Sequence, residues 1–421
     1  MLRALLLAFW LFAGAAQAAP VFCVDDWCLS QTAFDLLLKN AQQQQPDMTA
    51  AAYKQELVEV RLLAGYARQQ HFQVEADHFG VGFRPEVKLE REVHGLFHSQ
   101  LSKNFNTYAK ANLDKTGLNA FLKAPLHVTG VDIDSALKPD NRKRIGMTPA
   151  QLAAAEKIRL ARVQFPGDKE KVFTLVELYQ QQNVQGRLAL QQQPDSIAQQ
   201  TRNWVQRQYF YWWLAHHSGL QANDISKVRE ALADRQLSNA WLEQQGLVEV
   251  MHDHANSRLE AAAKQVSDKQ IADWYRQHKD SFRTTNSVQA AHLACATEAA
   301  CKAGRQALVQ GDKLDEVIKR YADPAHQKSA QLGQLTRKKD GMHWLTSLAL
   351  LQQPGDYSRP VRAPDGHWEV LWISDKQTGY LPPDSSSVRY QASRAIAKAE
   401  LLAEHQTLMQ QLHKQHKVVM K

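Results

Sequence analysis

Histidines and cysteines in this 421-residue chain stand at spacings that could carry chemistry. Histidines come in close pairs: His94/His98, His216/His217, His252/His254 and His413/His416. The i, i+4 spacing of His94/His98 puts two imidazoles on one helix face, where they can share a metal ion. No third ligand stands near that pair, and no metal or other cofactor is expected. The four cysteines also fall into local pairs, Cys23/Cys28 and Cys295/Cys301, with four and five intervening residues. A redox pair and a zinc site are the rival readings, and these spacings fit neither the CxxC motif nor a four-ligand zinc site well. In an oxidising compartment an even count in close pairs points to two disulfides, each closing a short loop.

The compartment is read from the start of the chain. Residues 1–18 have the form of a secretory signal, with Arg3, an apolar stretch from Leu5 to Phe12 too short to cross a bilayer, and a small-x-small Ala16-Gln17-Ala18 word. The mature chain then starts at Ala19, with no cysteine there to carry a lipid. No later run is long and apolar enough for a membrane span, so a soluble, periplasmic protein is expected. The chain has 51 basic and 43 acidic residues, a net charge of +8. That is a mixed-charge surface rather than a nucleic-acid footprint, and no nucleic-acid partner is expected.

Positioning elements come next. The spacing predicts helices over Thr32–Asn40, Ala50–Gln70, Val87–Ser99 and Leu101–Leu113, with Ser30 or Thr32 capping the first. Pro125, Gly130, Pro139, Pro149 and the Asn141–Arg144 charge run mark a connector. Phe173–Leu220 then repeats the order of a short helix before a long one, which suggests an internal repeat. The long helix, Ile197–His217, carries Trp204, Tyr209, Phe210, Tyr211, Trp212 and Trp213 almost all round. Those rings are either core or part of an apolar cradle for unfolded segments. Helices continue over Asp224–Lys264. A linker, Leu381–Ser387, precedes a last amphipathic helix, Val388–His416, and a terminal strand, Val418–Met420.

The stretch Val288–Thr378 has a different texture. Val288, Ala290, His292 and Ala294 lie on one side of a period-2 strand, two amphipathic helical patterns follow, and Trp368–Ile373 is a β-rich run after an Asp365-Gly366 turn signal. Four of its words resemble the parvulin family of peptidyl-prolyl isomerases: Ala291-His292-Leu293-Ala294, Tyr321-Ala322-Asp323-Pro324, Ala330-Gln331-Leu332-Gly333, and Pro354-Gly355-Asp356-Tyr357-Ser358-Arg359-Pro360-Val361. Just upstream, Val266-Ser267-Asp268-Lys269-Gln270-Ile271, Trp274-Tyr275 and Phe282 resemble the segment entering the isomerase domain of SurA, PpiD and PrsA proteins. Ser30–Gln70 is similar to the N-terminal helical segment of SurA-type chaperones.

That resemblance implies a multidomain, mainly α protein: a helical SurA-like module built from both chain ends, with an inserted α+β parvulin-like domain. The expected divisions are 19–122, an N-terminal helical region; 123–172, the connector; 173–283, a second helical region; 284–378, the parvulin-like domain; and 379–421, a linker and a helix returning to the helical module. Val418–Met420 is expected to pair with Val21–Val24. The implied partners are unfolded or proline-containing exported polypeptides. Prolyl isomerisation crosses a barrier of about 20 kcal/mol set by amide resonance. It needs no covalent step, only a site that favours the twisted amide.

Carried over residue by residue, the resemblance assigns His292 and Asp323 to catalytic positions, and Leu332, Leu335 and Trp344 to an apolar proline pocket. Leu335 is smaller than the family's phenylalanine. The family's second histidine follows a Gly-aromatic word, whereas this chain reads Gly366-His367-Trp368. Counted from Gly366, alternation along a strand turns Trp368 into the site and His367 away. That order separates two readings, a chaperone whose isomerase-like domain is idle and a fully active isomerase that uses His292, Asp323 and His367; a third, a non-catalytic envelope-assembly scaffold, shares the same sequence features.

Overall fold

The computed structural model describes residues 20–74, 82–124, 133, 136–137, 146–192, 195–248, 256–325, 331–337 and 343–420. The expected signal segment, residues 125–132, 134–135 and 138–145 of the connector, His252/His254 and Ala330 lie outside them. The chain divides into two compact units, one from residues 1–256 with 402–421, the other from 257–401.

In the first unit a hairpin, β1 (Phe22–Val24) and β2 (Trp27–Leu29), turns at Asp25, which takes a left-handed φ of 52°. Helix α1 (Gln31–Gln44) starts at Ser30, whose hydroxyl accepts from the Ala33 N–H at 3.1 Å. Thr49 caps α2 (Ala50–Gln69) in the same way. The two helices expected over 87–113 are one, α3 (Pro85–Asn112). No proline interrupts it, and at its middle Gln100 donates to the Leu36 carbonyl at 2.7 Å. After α4 (Pro149–Lys157), a second hairpin of β3 (Arg159–Val163) and β4 (Lys171–Thr174) leads into α5 (Leu175–Gln180), α6 (Val184–Gln192), α7 (Asp195–His216) and α8 (Ala222–Gln244). The order of a short helix before a long one that the sequence suggested occurs in both stretches, each after a hairpin, with an additional short helix, α6, in the second.

The rings of α7 are core. Trp204, Tyr209, Phe210, Trp212 and Trp213 are buried. Trp204 stacks on Phe173 at 4.6 Å, and Phe105 packs against Tyr209, Phe210 and Trp213. Trp212 donates its indole N–H to the Pro166 carbonyl at 2.9 Å. This removes these five side chains from the open-cradle alternative: aromatics pointing round most of a helix are satisfied here by neighbours on several sides. A buried anion sits among the helices. Asp234 on α8 is 1% exposed and pairs with Arg61, at 2.9 Å, and with Arg68, both on α2.

The chain end returns to this unit. Strand β9 (Val418–Met420) pairs antiparallel with β1, Phe22 opposite Met420 and Val24 opposite Val418, as the resemblance implied. Asp25 holds the junction: its carboxylate accepts from the Lys417 N–H at 2.9 Å and meets His416 Nδ1 at 2.6 Å. The His416 hydrogen bond and the Lys417 N–H lower the Asp25 pKa. Cys23 and Cys28 face each other across the hairpin at disulfide distance, with Cα atoms 4.1 Å apart. Replacing both with serine is expected to lower the unit's stability by about 2 kcal/mol. Urea-unfolding midpoints with and without reductant check this, and equal midpoints for the unmutated protein would mean the bond contributes nothing.

The second unit begins with α9 (Ser257–Gln265) and α10 (Asp268–His278), where Ser267 and Gln270 form a reciprocal capping box. Then come β5 (Arg283–Cys295), α11 (Glu298–Val309), α12 (Leu314–Tyr321), β6 (Gln331–Thr336), α13 (Trp344–Leu351), β7 (Val361–Arg362), β8 (Trp368–Tyr380) and α14 (Ser386–Gln415). The four strands form one antiparallel sheet in the order β6-β5-β8-β7. The unit starts well before residue 284, because Tyr275 and Phe282 pack with Val388 and Tyr275 donates to the Leu381 carbonyl at 2.7 Å. The entering helix and the start of α14 therefore belong to it, and α14 then carries the chain back to the first unit.

Candidate active site

Strand pairing assigns each residue of β5 and β8 to a face. Ala290, His292 and Ala294 stand opposite Ile373, Leu371 and Glu369; Leu293 and Cys295 stand opposite Val370 and Trp368. Directly opposed residues point the same way. One face therefore carries His292, Glu369, Leu371 and Ile373. It is covered by Leu345, Ala349 and Leu350 of α13, with Leu332, Leu335 and Trp344 packed alongside. The other face carries Leu293, Cys295 and Val370 under α11 and α12.

Two local devices hold this second face. Cys295 at the end of β5 meets Cys301 on α11 at disulfide distance, Cα atoms 5.5 Å apart. Gly304 on α11 lies so close to the sheet that a Cβ there would push against the terminal methyl of Leu293, which would have to move. The Pro354–Val361 word has a physical reading as well. Gly355 takes a φ of 87° and its N–H donates to the Ile373 carbonyl at 2.9 Å. Ser358 is buried; its N–H donates to the Leu371 carbonyl and its hydroxyl accepts from the Leu371 N–H, both at 2.8 Å. The segment thus fastens the free edge of β8.

On the first face sits a polar group in apolar surroundings. His292 is 6% exposed and Glu369 3% exposed. His292 Nδ1 lies 2.7 Å from Glu369 Oε2, and His367 Nε2 lies 2.7 Å from Glu369 Oε1. His367 Nδ1 in turn faces Asp365. An ionised carboxylate only accepts, so each imidazole presents an N–H to Glu369. With Nδ1–H committed, neutral His292 keeps Nε2 as an acceptor. Burial pushes the His367 pKa down, but the hydrogen bond to Glu369 and the charges of Glu369 and Asp365 outweigh it, and the net direction is up.

The expected direction of the Gly366-His367-Trp368 word is therefore overturned. Trp368 pairs with Cys295 and packs on the far face with the Cys295–Cys301 cluster, away from His292, and is not a substrate-binding candidate. His367 turns toward His292 through Glu369. Register across the strands sets the alternation, whereas counting from Gly366 does not, because Gly366 belongs to the Ala363–His367 turn before the strand. Asp323 lies near the end of β5: its N–H donates to the Ala294 carbonyl at 2.8 Å, and its carboxylate accepts from the Ala325 N–H at 3.0 Å. Glu369 was missed in the sequence. Its signal was a lone carboxylate inside an apolar strand, which burial tolerates only with a partner. The His94/His98 rings stack face to face, 5.3 Å between centroids.

A family profile described as the PPIC-type PPIASE domain matches residues 266–389. No protein of curated function matches the chain. Among solved structures, one of two structurally related SurA-like chaperones of Campylobacter jejuni is 19% identical, covering 51% of this chain and 93% of its own, with a TM-score of 0.21. A second structure described in the same words is 10% identical over 95% of this chain and 98% of its own, with a TM-score of 0.25. The peptidylprolyl isomerase PrsA of Bacillus anthracis is 18% identical over 46% and 81%, with a TM-score of 0.21. The match at 266–389 covers the strands that carry His292 and Glu369 and the turn that carries His367, and it starts where the capped entering helix starts: residues 266–389 of this multidomain, mainly α chain match the PPIC-type peptidyl-prolyl isomerase domain.

Proposed function

We propose that this protein is an exported, periplasmic folding factor that binds unfolded, proline-containing polypeptides and isomerises their prolyl bonds at the His292–Glu369–His367 face. One observation carries the catalytic half: two imidazoles share a buried carboxylate on the same sheet face as Leu332, Leu335 and Trp344. The planar amide owes its barrier to charge separation by resonance. Leu332, Leu335 and Trp344 supply an apolar seat for the proline ring. His292, fixed in one tautomer by Glu369, presents Nε2 as the polar group beside the twisting bond. No covalent step and no cofactor enters.

In the structure no helix among the described residues is long and apolar enough to cross a membrane. A holding protein without turnover is the second reading, favoured by Asp323, whose carboxylate accepts from the Ala325 N–H of its own turn.

A protease-coupled assay on a short proline peptide decides between them. Turnover above the uncatalysed rate, abolished in His292→Ala, is expected. A rate equal to the uncatalysed one leaves the holding protein. Failure to suppress aggregation of a denatured outer-membrane protein would remove the holding role and leave a scaffold.

A further inference from the structure

A cavity of about 370 Å3 opens in the first unit between α3, the end of α5 and α7. Arg207 on α7 stands in its wall, half-buried. Its guanidinium donates to Gln181 Oε1 at 3.2 Å, and among the described residues no carboxylate lies within ion-pair distance of it. Burial depresses its pKa and the charge of Arg91, on the same cavity, adds to that. Two carboxylates, Glu86 and Glu90, also line the cavity; the charge of Glu90 works against the depression of the Arg207 pKa, but its carboxylate pairs with Arg229. A partly desolvated cation with only a neutral partner, beside a second cation, is an unfavourable arrangement until an anion arrives.

The amides of the cavity point the same way. Gln181 Oε1 accepts from Arg207, Gln200 Oε1 from Gln182 at 2.7 Å, Asn203 Oδ1 from Gln199 at 2.9 Å, and Gln208 Oε1 from Lys171 at 3.3 Å. Each amide oxygen is committed to a neighbour, and among the described residues none of the four amide nitrogens finds a protein acceptor. What remains for a ligand is a set of N–H donors around a guanidinium fork, the complement of a carboxylate with peptide carbonyls behind it. The volume suits a few residues of chain.

We propose that this cavity binds a carboxylate of a polypeptide segment, seated on Arg207 and held by the amides of Gln181, Gln200, Asn203 and Gln208. The proposal rests on the reading of the protein as a polypeptide-binding folding factor, and gives that binding a chemical preference. The carboxylate is a chain end or an acidic side chain, and the test separates them.

Three short labelled peptides of otherwise neutral sequence are titrated against the full chain by fluorescence anisotropy. One has a free C-terminus, one is amidated, and one is amidated with a single internal aspartate. At least one carboxylate peptide is expected to bind about tenfold tighter than the neutral one, and Arg207→Gln to remove that difference. Preference for the free terminus assigns the chain end, and preference for the aspartate assigns the side chain. Arg207→Lys, which keeps the charge without the fork, is expected to fall between. Equal affinity for all three peptides on the unmutated protein, or no binding of any, overturns the proposal without relying on a variant's folding. Capture of a denatured polypeptide is measured alongside: intact capture without a carboxylate preference sinks only the cavity, whereas loss of capture by the unmutated protein sinks the folding-factor reading.

Discussion

Glu369→Ala is expected to lower prolyl turnover about a hundredfold, the scale of a displaced catalytic group, and to destabilise its domain by about 3 kcal/mol. Both effects follow from one carboxylate. It is 3% exposed and is the shared partner of His292 and His367. Alanine leaves two imidazoles in an apolar site with an N–H each and no acceptor there. It also frees His292 to rotate and to change tautomer.

Glu369→Gln separates the two effects. It keeps the volume and one acceptor oxygen, so it is expected to retain more stability than alanine while losing most of the turnover. The pH dependence supplies a further check. His367 has its pKa raised above the ordinary value of 6.5 in the folded protein. A raised folded-state pKa adds stability that is fully present below the unfolded value and is lost as pH rises through the folded one. Urea midpoints for the unmutated domain are therefore expected to fall as pH rises out of the usual histidine range, and Glu369→Gln to flatten that fall. A midpoint with the same pH profile in both proteins would count against the shared-carboxylate arrangement.

Asp234→Ala is the second large effect, and it tests the helical unit. Asp234 lies between Arg61 and Arg68 at 1% exposure, while the arginine side chains are 26% and 47% exposed. The anion is the buried member, and both cations converge on it from α2. Removing it is expected to cost about 3–4 kcal/mol, since two guanidiniums lose the carboxylate on which both converge. Arg68→Ala is expected to cost much less, because Arg61 still neutralises Asp234 and Arg68 keeps solvent on one side. Chemical denaturation of the three proteins gives the comparison, and equal losses for Asp234→Ala and Arg68→Ala would rule out the buried anion as the organising charge.

Much of the architecture was legible in local pattern. Caps such as Ser30, Thr174 and Ser267 stand directly before apolar periodicity, so helix starts were readable to within a residue or two. The return of Val418–Met420 to β1 was legible only through family resemblance, since pairing between residues nearly 400 apart leaves no local trace. The break expected near Gln100 was absent because a polar residue inside a helix need not end it when its side chain finds a partner.

The sequence by itself determined the helical and strand patterns, the cysteine pairs, and His292 as a buried-strand histidine, because those follow from periods and spacings within a few residues. Only the tertiary structure decided which way Gly366-His367-Trp368 points and that Glu369 joins the two histidines. The direction of a side chain on a strand depends on which residue of the neighbouring strand it faces, and a shift of one residue exchanges the faces. That register was set by the whole of β5 lying against β8, from Arg283 opposite Tyr380 to Cys295 opposite Trp368, and no single word of the sequence contains it.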